Sequence, residues 1–355
     1  MTSTGGANKA MRYALSRTAP GTPLRDGIDR VVRAQTGALV VLSDNPEVLS
    51  ICTGGFLVDA PFSPQRLSEL AKMDGAIIVS NDGGRIARAN VHLVPDPSVP
   101  TSETGTRHRT AERVARSLNV PVVTASEEMG VINIYAGGDK RQLLEIGQLL
   151  DRANQALQTL ERYKVRLNDA LSSLTTLEIE DIVTVRDVIV VVQRGEMVRR
   201  ISEEIETMVI ELGVDARLLR LQLDELASEN EAAVDLVIAD YLPPYRQVAE
   251  TLADIAALRD DDVLDARRVI STFHLGELGL GDEVTSRGIR MLDQVPALGS
   301  DTASRVADDI GGLSRLQRAT TLQLMEVDGV DETLATQIKK TFERITESTI
   351  LKRYN

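Results

Sequence analysis

From Asp151 to Glu211 the chain has no proline and a single glycine, Gly195. A stretch of that length without breakers offers the backbone no place to turn. Its apolar residues recur at roughly helical spacing with charges between them, as in RANQALQTLERYKVRLNDALSSL, so long amphipathic helices follow. GEMVRRISEEIETMVIEL and DARLLRLQLDELASENEAAVDLVIADYL continue the pattern. Stripes of this kind serve as core or as subunit contact surface; they contain no cofactor-binding pattern.

This helical stretch separates two other textures. Before it, GALVVLS, GAIIVS, NVPVVTAS and VINIY read as strands, because β-branched residues favour the pleated backbone. NDGG between GAIIVS and RIARANVHLV predicts a hairpin, and a hairpin within alternating strand and helix patterns implies a mixed sheet. After the break at YLPPYRQ, and clearly from Gly288 onward, short helices follow. The expected organisation is an α/β domain with a mixed central sheet flanked by helices over 1–145, an all-α helical bundle or spine over 146–285, and a domain of short helices over 286–355.

The apolar content of 43% supports folded cores, and with aromatics at 3% and no Trp these are built from Leu, Val, Ile and Ala. The net charge of -13 argues against indiscriminate nucleic-acid binding. Over 287–355, however, ten Lys and Arg balance ten Asp and Glu, so the acidity belongs to the first two segments and the C-terminus is open to a DNA role. Cys52 is the one cysteine, which excludes an intramolecular disulfide and fits a reducing cytoplasm. The opening residues lack the apolar core of a secretory signal, and VIVVV at 188–192 is far too short to cross a bilayer. A cytoplasmic protein without a membrane partner is expected.

Three short segments carry chemistry. KMDGAIIVS puts Asp74 and Gly75 at the entrance of a strand. Glycine there permits close approach to the backbone, and the aspartate can hold a divalent cation or accept a proton from a hydroxyl. TGTRHRTAERVARS places Arg107, His108 and Arg109, bracketed by Thr106 and Thr110, in the first turn of a helix. Adjacent cations at the positive end of a helix repel the dipole and each other, so an anion belongs there, and guanidinium forks suit phosphate oxygens. The bland alternative is a solvated basic turn capped by Thr106. In TASEEMGVINIY, Ser126, Glu127 and Glu128 join two strands, either holding a metal or a ribose or simply forming a polar corner.

Near the C-terminus, LMEVDGVDETLATQIKKTF fits a helix-hairpin-helix. Such hairpins aim backbone N–H groups at a DNA phosphate, here from Gly329 and Val330, with Lys339 and Lys340 nearby. QVPALGSDTASRVADDI resembles a degenerate companion. Asp331 replaces the usual second glycine, and its charge would repel a phosphate; a small helical packing domain is the other reading of this region.

DGA at 74–76, GTRHRTA at 105–111 and SEEMG at 126–130, in this order, resemble the diadenylate cyclase family over about residues 10–145. The whole chain is similar to members that join this domain to a helical spine and a helix-hairpin-helix module. The resemblance implies condensation of two ATP into cyclic di-AMP and two pyrophosphates with Mg2+ or Mn2+. It implies that Asp74 orients or deprotonates the ribose 3'-hydroxyl and binds the metal, with Glu127 or Glu128 in support. Gly75 and Ala76 would lie against the nucleotide and Leu93 would contact adenine. Thr106, Arg107, His108, Arg109 and Thr110 would cradle the phosphates. It also implies an octamer and modulation by branched DNA such as Holliday junctions. A two-fold symmetric product requires two equivalent half-sites facing across an axis, hence at least a dimer. The competing reading is a DNA-structure-binding scaffold whose first domain senses ATP without catalysis.

Overall fold

The computed structural model describes residues 4–127, 129–227, 231–243, 245–275 and 278–353. The chain divides into two compact units, one formed by 1–155 with 204–222, the other by 156–203 with 223–355.

The first unit is built on an eight-stranded mixed sheet. Its strands are β1 (Ala38–Val41), β2 (Cys52–Thr53), β3 (Phe56–Pro61), β4 (Ala76–Val79), β5 (Arg85–Leu93), β6 (Val122–Ala125), β7 (Ile132–Ala136) and β8 (Asp139–Gln142). They lie in the order β2-β5-β4-β1-β6-β7-β8, with β3 also paired to β5. Only β1 and β4 run parallel among these pairings. The hairpin expected around NDGG is present as β4–β5, with irregular register near Ile78.

Helices cover both faces. α1 (Thr4–Thr18), α2 (Pro23–Arg33), α3 (Pro46–Ser50), α4 (Pro64–Leu70) and α5 (Thr106–Leu118) alternate with the strands. Val40, Ile77, Val79, Val123 and Ile134 pack with Leu15, Ile28 and Leu67 of α1, α2 and α4. Leu39, Val41, Ile78, Val91 and Val122 pack with Val48 of α3 and with Ala111, Val114 and Ala115 of α5. Burial of both faces explains why the central strands read as unbroken apolar runs, ALVV, AIIV, VVTA and INIYA.

Register decides where the site forms. Val40 pairs with Ile77, Ala76 with Val91, and Ala38 with Ala125. The starts of β1 and β4 therefore share one end of the sheet with the finish of β5 and β6, and the turns before or after each strand converge there.

α6 (Ile146–Glu180) and α7 (Val185–Leu212) are the long helices that the breaker-free sequence dictates, each contributing to both units. In the second unit, a Cβ on Gly195 would come within 2.5 Å of a Val234 methyl, so this glycine marks close packing of α7 on the helix Glu231–Tyr241. No helix among the described residues is long and apolar enough to span a membrane.

The C-terminal part of the second unit has its own core around Leu292, Val306, Leu316, Leu324 and Ile338. Two hairpins there share a spacing of 32 residues. Val295 and Val327, Ala303 and Ala335, and Val306 and Ile338 are buried counterparts. Leu298 N–H donates to Val295 O, and Val330 N–H to Val327 O. Ala297 and Gly329 at the turns both have positive φ, 65° and 88°. The segment read as degenerate thus repeats its partner's turn hydrogen bond and positive φ.

Candidate active site

A cavity of about 780 Å³ opens at the end of the sheet where β1, β4, β5 and β6 meet the N-terminus of α5. Asp74, Gly75 and Ala76 line it from the entrance of β4; Asn90 to Leu93 line it from β5; Gly105 to His108 and Thr110 from α5; Ser126 and Glu127 from the turn after β6. Leu39 of β1 completes the wall. The three motifs that lie apart in sequence share one space, which is large enough for a nucleotide.

Asp74 is solvent-exposed, so its carboxylate is available to a ligand. Gly75 has φ +115°, where other residues are strained, and a Cβ there would meet Asn90 backbone atoms at 2.9–3.0 Å. Its requirement therefore comes from the approach of β5. Sequence reasoning missed Asn90, whose φ of 53° coincides with the irregular register of β5 beside the cavity, and His92.

The first turn of α5 is uncapped. Gly105, and not Thr106, occupies the N-cap, and no side chain bonds the first-turn N–H groups. Arg107 is half-buried and its guanidinium packs over Gly37, just before β1. Arg109 is exposed and is not among the cavity's lining residues. Two residues along a helix rotate a side chain by about 200°, so Arg107 and Arg109 leave α5 on different sides.

His108 is tied to the sheet. Its Nδ1 lies 3.0 Å from the hydroxyl of Tyr135 and 3.2 Å from Thr124 Oγ1. Burial pushes the imidazole below its ordinary pKa; Glu103 opposes this, while Lys140 and Arg107 add to it. Burial, then the charge of Glu103, raises the Tyr135 phenol, which stays protonated.

Ser126 N–H donates to Val131 O, and its hydroxyl accepts from Met129 N–H at 3.4 Å, so it shapes the turn as well as lining the cavity. Glu127 is exposed at the rim. Glu128 lies outside the described residues. No cluster of three or more His, Cys, Asp or Glu suited to a metal occurs among the described residues.

Comparison with known proteins accords with this geometry. Residues 25–140 match the DAC family model, DisA bacterial checkpoint controller nucleotide-binding, and residues 143–279 match the DisA bacterial checkpoint controller linker region. The DNA integrity scanning protein DisA of Parafrankia sp. is 50% identical over 97% of each chain. That of Streptomyces coelicolor is 48% identical over 98% of this chain and 95% of its own. The chain belongs to the DisA family. It is accordingly a diadenylate cyclase, a nucleotidyltransferase with a nucleotide-binding first domain. A solved structure of DacA from Staphylococcus aureus is 23% identical, covering 39% of this chain and 89% of that one, with a TM-score of 0.28.

The predicted DNA contacts fare differently at each position. Gly329 supplies the positive φ of its turn. Val330 is buried and its N–H is engaged by Val327 O. Lys339 Nζ donates to Ala319 O at 2.9 Å, whereas Lys340 is exposed. Asp331 accepts from Leu334 N–H at 2.7 Å and so caps the following helix with a carboxylate. In the companion hairpin, Gly299 caps the helix Ser300–Ile310 with no side-chain bond.

Proposed function

We propose that the enzyme condenses two ATP molecules into cyclic di-AMP and two pyrophosphates, each nucleotide held in the cavity of one protomer and facing its twin across a two-fold axis. The observation that carries this reading is the meeting, in one cavity, of the Asp74 carboxylate with Arg107, His108 and the uncapped turn of α5. Positioning and neutralisation of charge dominate phosphoryl chemistry of this kind. Arg107 and the α5 amides grip the polyphosphate; Thr106 and Thr110 offer hydroxyls beside it. Asp74 orients the ribose 3'-hydroxyl and accepts its proton. Leu93, Ala76 and Gly75 border the base and sugar. Arg109, exposed beside the cavity, is available to the phosphates of the facing nucleotide.

The donors fit Mg2+ or Mn2+, hard cations that take one or two carboxylates and draw their remaining ligands from phosphate and water. Asp74 and Glu127 would supply the carboxylates, with Glu128 a further candidate, and the bound cation would neutralise charge at the α-phosphate. A lone, half-buried Cys52 and the use of ATP agree with a cytoplasmic location.

The paired C-terminal hairpins support binding of branched DNA such as a Holliday junction, with occupancy altering how facing catalytic domains meet. The helical spine would hold protomers in an assembly, an octamer in this reading. Purified protein incubated with ATP and Mn2+ tests the chemistry: cyclic di-AMP and pyrophosphate are expected in a one-to-two ratio. Absence of any cyclic dinucleotide from assembled protein would instead favour an ATP-sensing, DNA-binding scaffold.

A further inference from the structure

The first turn of α5 keeps its N–H groups free of side-chain bonds, so something other than a cap must fix where the helix begins. An N-cap side chain ordinarily does this by bonding the amides left over at the start. Gly105 has no side chain to do so. The chain that leads into it carries Pro95, Pro97 and Pro100, which have no N–H to offer a neighbouring strand. From Pro100 to Thr104 no backbone–backbone hydrogen bond occurs among the described residues.

Side chains of α5 hold this segment instead. Glu112, one turn after His108, is buried at 5% exposure. Its Oε2 accepts from both Thr101 O–H and Ser102 N–H, the latter at 3.0 Å. Its Oε1 meets Arg116 Nη2 at 2.8 Å. Arg116 also donates to Pro100 O at 2.8 Å, and Arg113 to Val99 O at 3.0 Å. Thr101 Oγ1 in turn accepts from Glu103 N–H at 3.1 Å. Burying a carboxylate is costly unless it is paired and bonded, and every partner of Glu112 lies on α5 or on the segment directly before it.

We propose that Glu112 is a positioning residue for the nucleotide: reaching back from inside α5, it fixes the entering chain through Thr101 and Ser102, and so replaces an N-cap while leaving the N–H groups of Thr106, Arg107 and His108 free to receive phosphate oxygens. This rests on the reading of the cavity as the ATP site. A side-chain cap would occupy amides that the phosphates need. A bond made upstream of Gly105 orders the turn and leaves them open.

Hydrogen exchange of the full chain, resolved by mass spectrometry with electron-transfer fragmentation, tests the hold. The telling amides are those of Glu103 and Arg109, which bond Thr101 Oγ1 and Gly105 O and do not bond Glu112 themselves. In Glu112→Ala both are expected to exchange about tenfold faster or more, the scale of one lost bond to a charged group. Amides of β1, β4 and β6 should keep their wild-type rates. The Kd for a non-hydrolysable ATP analogue should rise about tenfold in the same variant. Glu112→Gln separates the hold from the charge. Both upstream donors bond one oxygen, so an amide oxygen in that place keeps them and loses only Arg116. Slow exchange and affinity should both return.

Unchanged exchange at Glu103 and Arg109 in Glu112→Ala overturns the inference. So does acceleration spread evenly over β1, β4 and β6, which marks a residue that only stabilises the domain. Glu112→Gln behaving like Glu112→Ala overturns it as well, by assigning the effect to the charge pair with Arg116. If Glu112→Ala does not fold, Thr101→Val decides: it removes one donor at a half-buried position and should give the same localised change. An analogue that the wild type does not bind removes the ATP reading and the phosphate half of the inference together. Wild-type affinity left intact by Glu112→Ala removes the inference alone.

Discussion

The guanidinium of Arg107 lies in the space that a side chain on Gly37 would fill: a Cβ there would overlap Nη1 and Cζ and come within 2.7 Å of Nη2. Gly37 precedes β1 and Arg107 opens α5, so a residue far away in sequence sets the position of the half-buried guanidinium. The expected consequence is that Gly37→Ala displaces the guanidinium, which can swing away because it ends a flexible chain. Losing one charge-assisted hydrogen bond, about 1.5–3 kcal/mol, would raise the KM for ATP roughly tenfold or more. Thermal unfolding should shift little. Unaltered affinity for an ATP analogue would remove Arg107 from its assigned place.

Asp74 offers the converse case, a carboxylate exposed at the cavity and without a structural partner in the hydrogen bonds described above. Asp74→Asn should leave folding and assembly unchanged while lowering cyclic di-AMP synthesis by about a hundredfold or more, the scale of a positioned proton acceptor. Product formation and size-exclusion chromatography measure the two halves separately, and near-normal synthesis would contradict the role.

In the second unit, a buried polar cluster gives stability a pH dependence. Asp240 accepts from Ile289 N–H at 2.6 Å and Arg290 N–H at 3.2 Å. Burial, followed by the charge of Glu178, pushes its pKa from 3.8 up to about 7. Glu178, paired with Arg290 and Tyr241, is raised in the same direction, chiefly by burial. Since the folded state holds these protons more tightly, the stability that these two groups contribute is full below the ordinary carboxyl range and is lost as pH rises towards about 7. Urea unfolding of the full chain, followed through a probe in the second unit, should show a midpoint that declines from mildly acid to neutral pH. Asp240→Asn should flatten the slope; an unchanged slope would assign it to other groups.

Asp331 caps the helix Glu332–Arg353 through Leu334 N–H, at the turn that the proposed DNA contact assigns to a phosphate. Asp331→Gly removes a negative charge there at a cost of only about 0.3 kcal/mol for the lost cap. Gel shifts with a four-way junction should show tighter binding by this variant. A chain truncated after about residue 285 should lose the shift; equal binding by the truncated and full chains would locate DNA recognition elsewhere.

Legibility followed burial. β1, β4, β6 and β7 stood out in the sequence because both of their faces are covered and few polar residues interrupt them. β3 and β8 escaped notice for the opposite reason: FLVDAP is largely exposed, and DKRQ is a polar strand at the sheet edge. The β-branched run at 188–192 lies within α7, where tertiary packing outweighs strand propensity. The second hairpin was visible through Gly329, whereas its companion was obscured because Ala297 adopts the same positive φ without being glycine.

What the sequence determined by itself was local: the long helices, the apolar central strands, and three polar motifs whose residue types already imply an anion and a cation. These follow from spacing, propensity and the scarcity of breakers, which act over a few residues. The tertiary structure decided which groups meet. Strand register carried Asp74, Asn90 and Ser126 to one sheet end, Gly37 made room for Arg107, and Tyr135 came to rest against His108. Such contacts depend on how distant strands pair and on volumes that no single segment specifies.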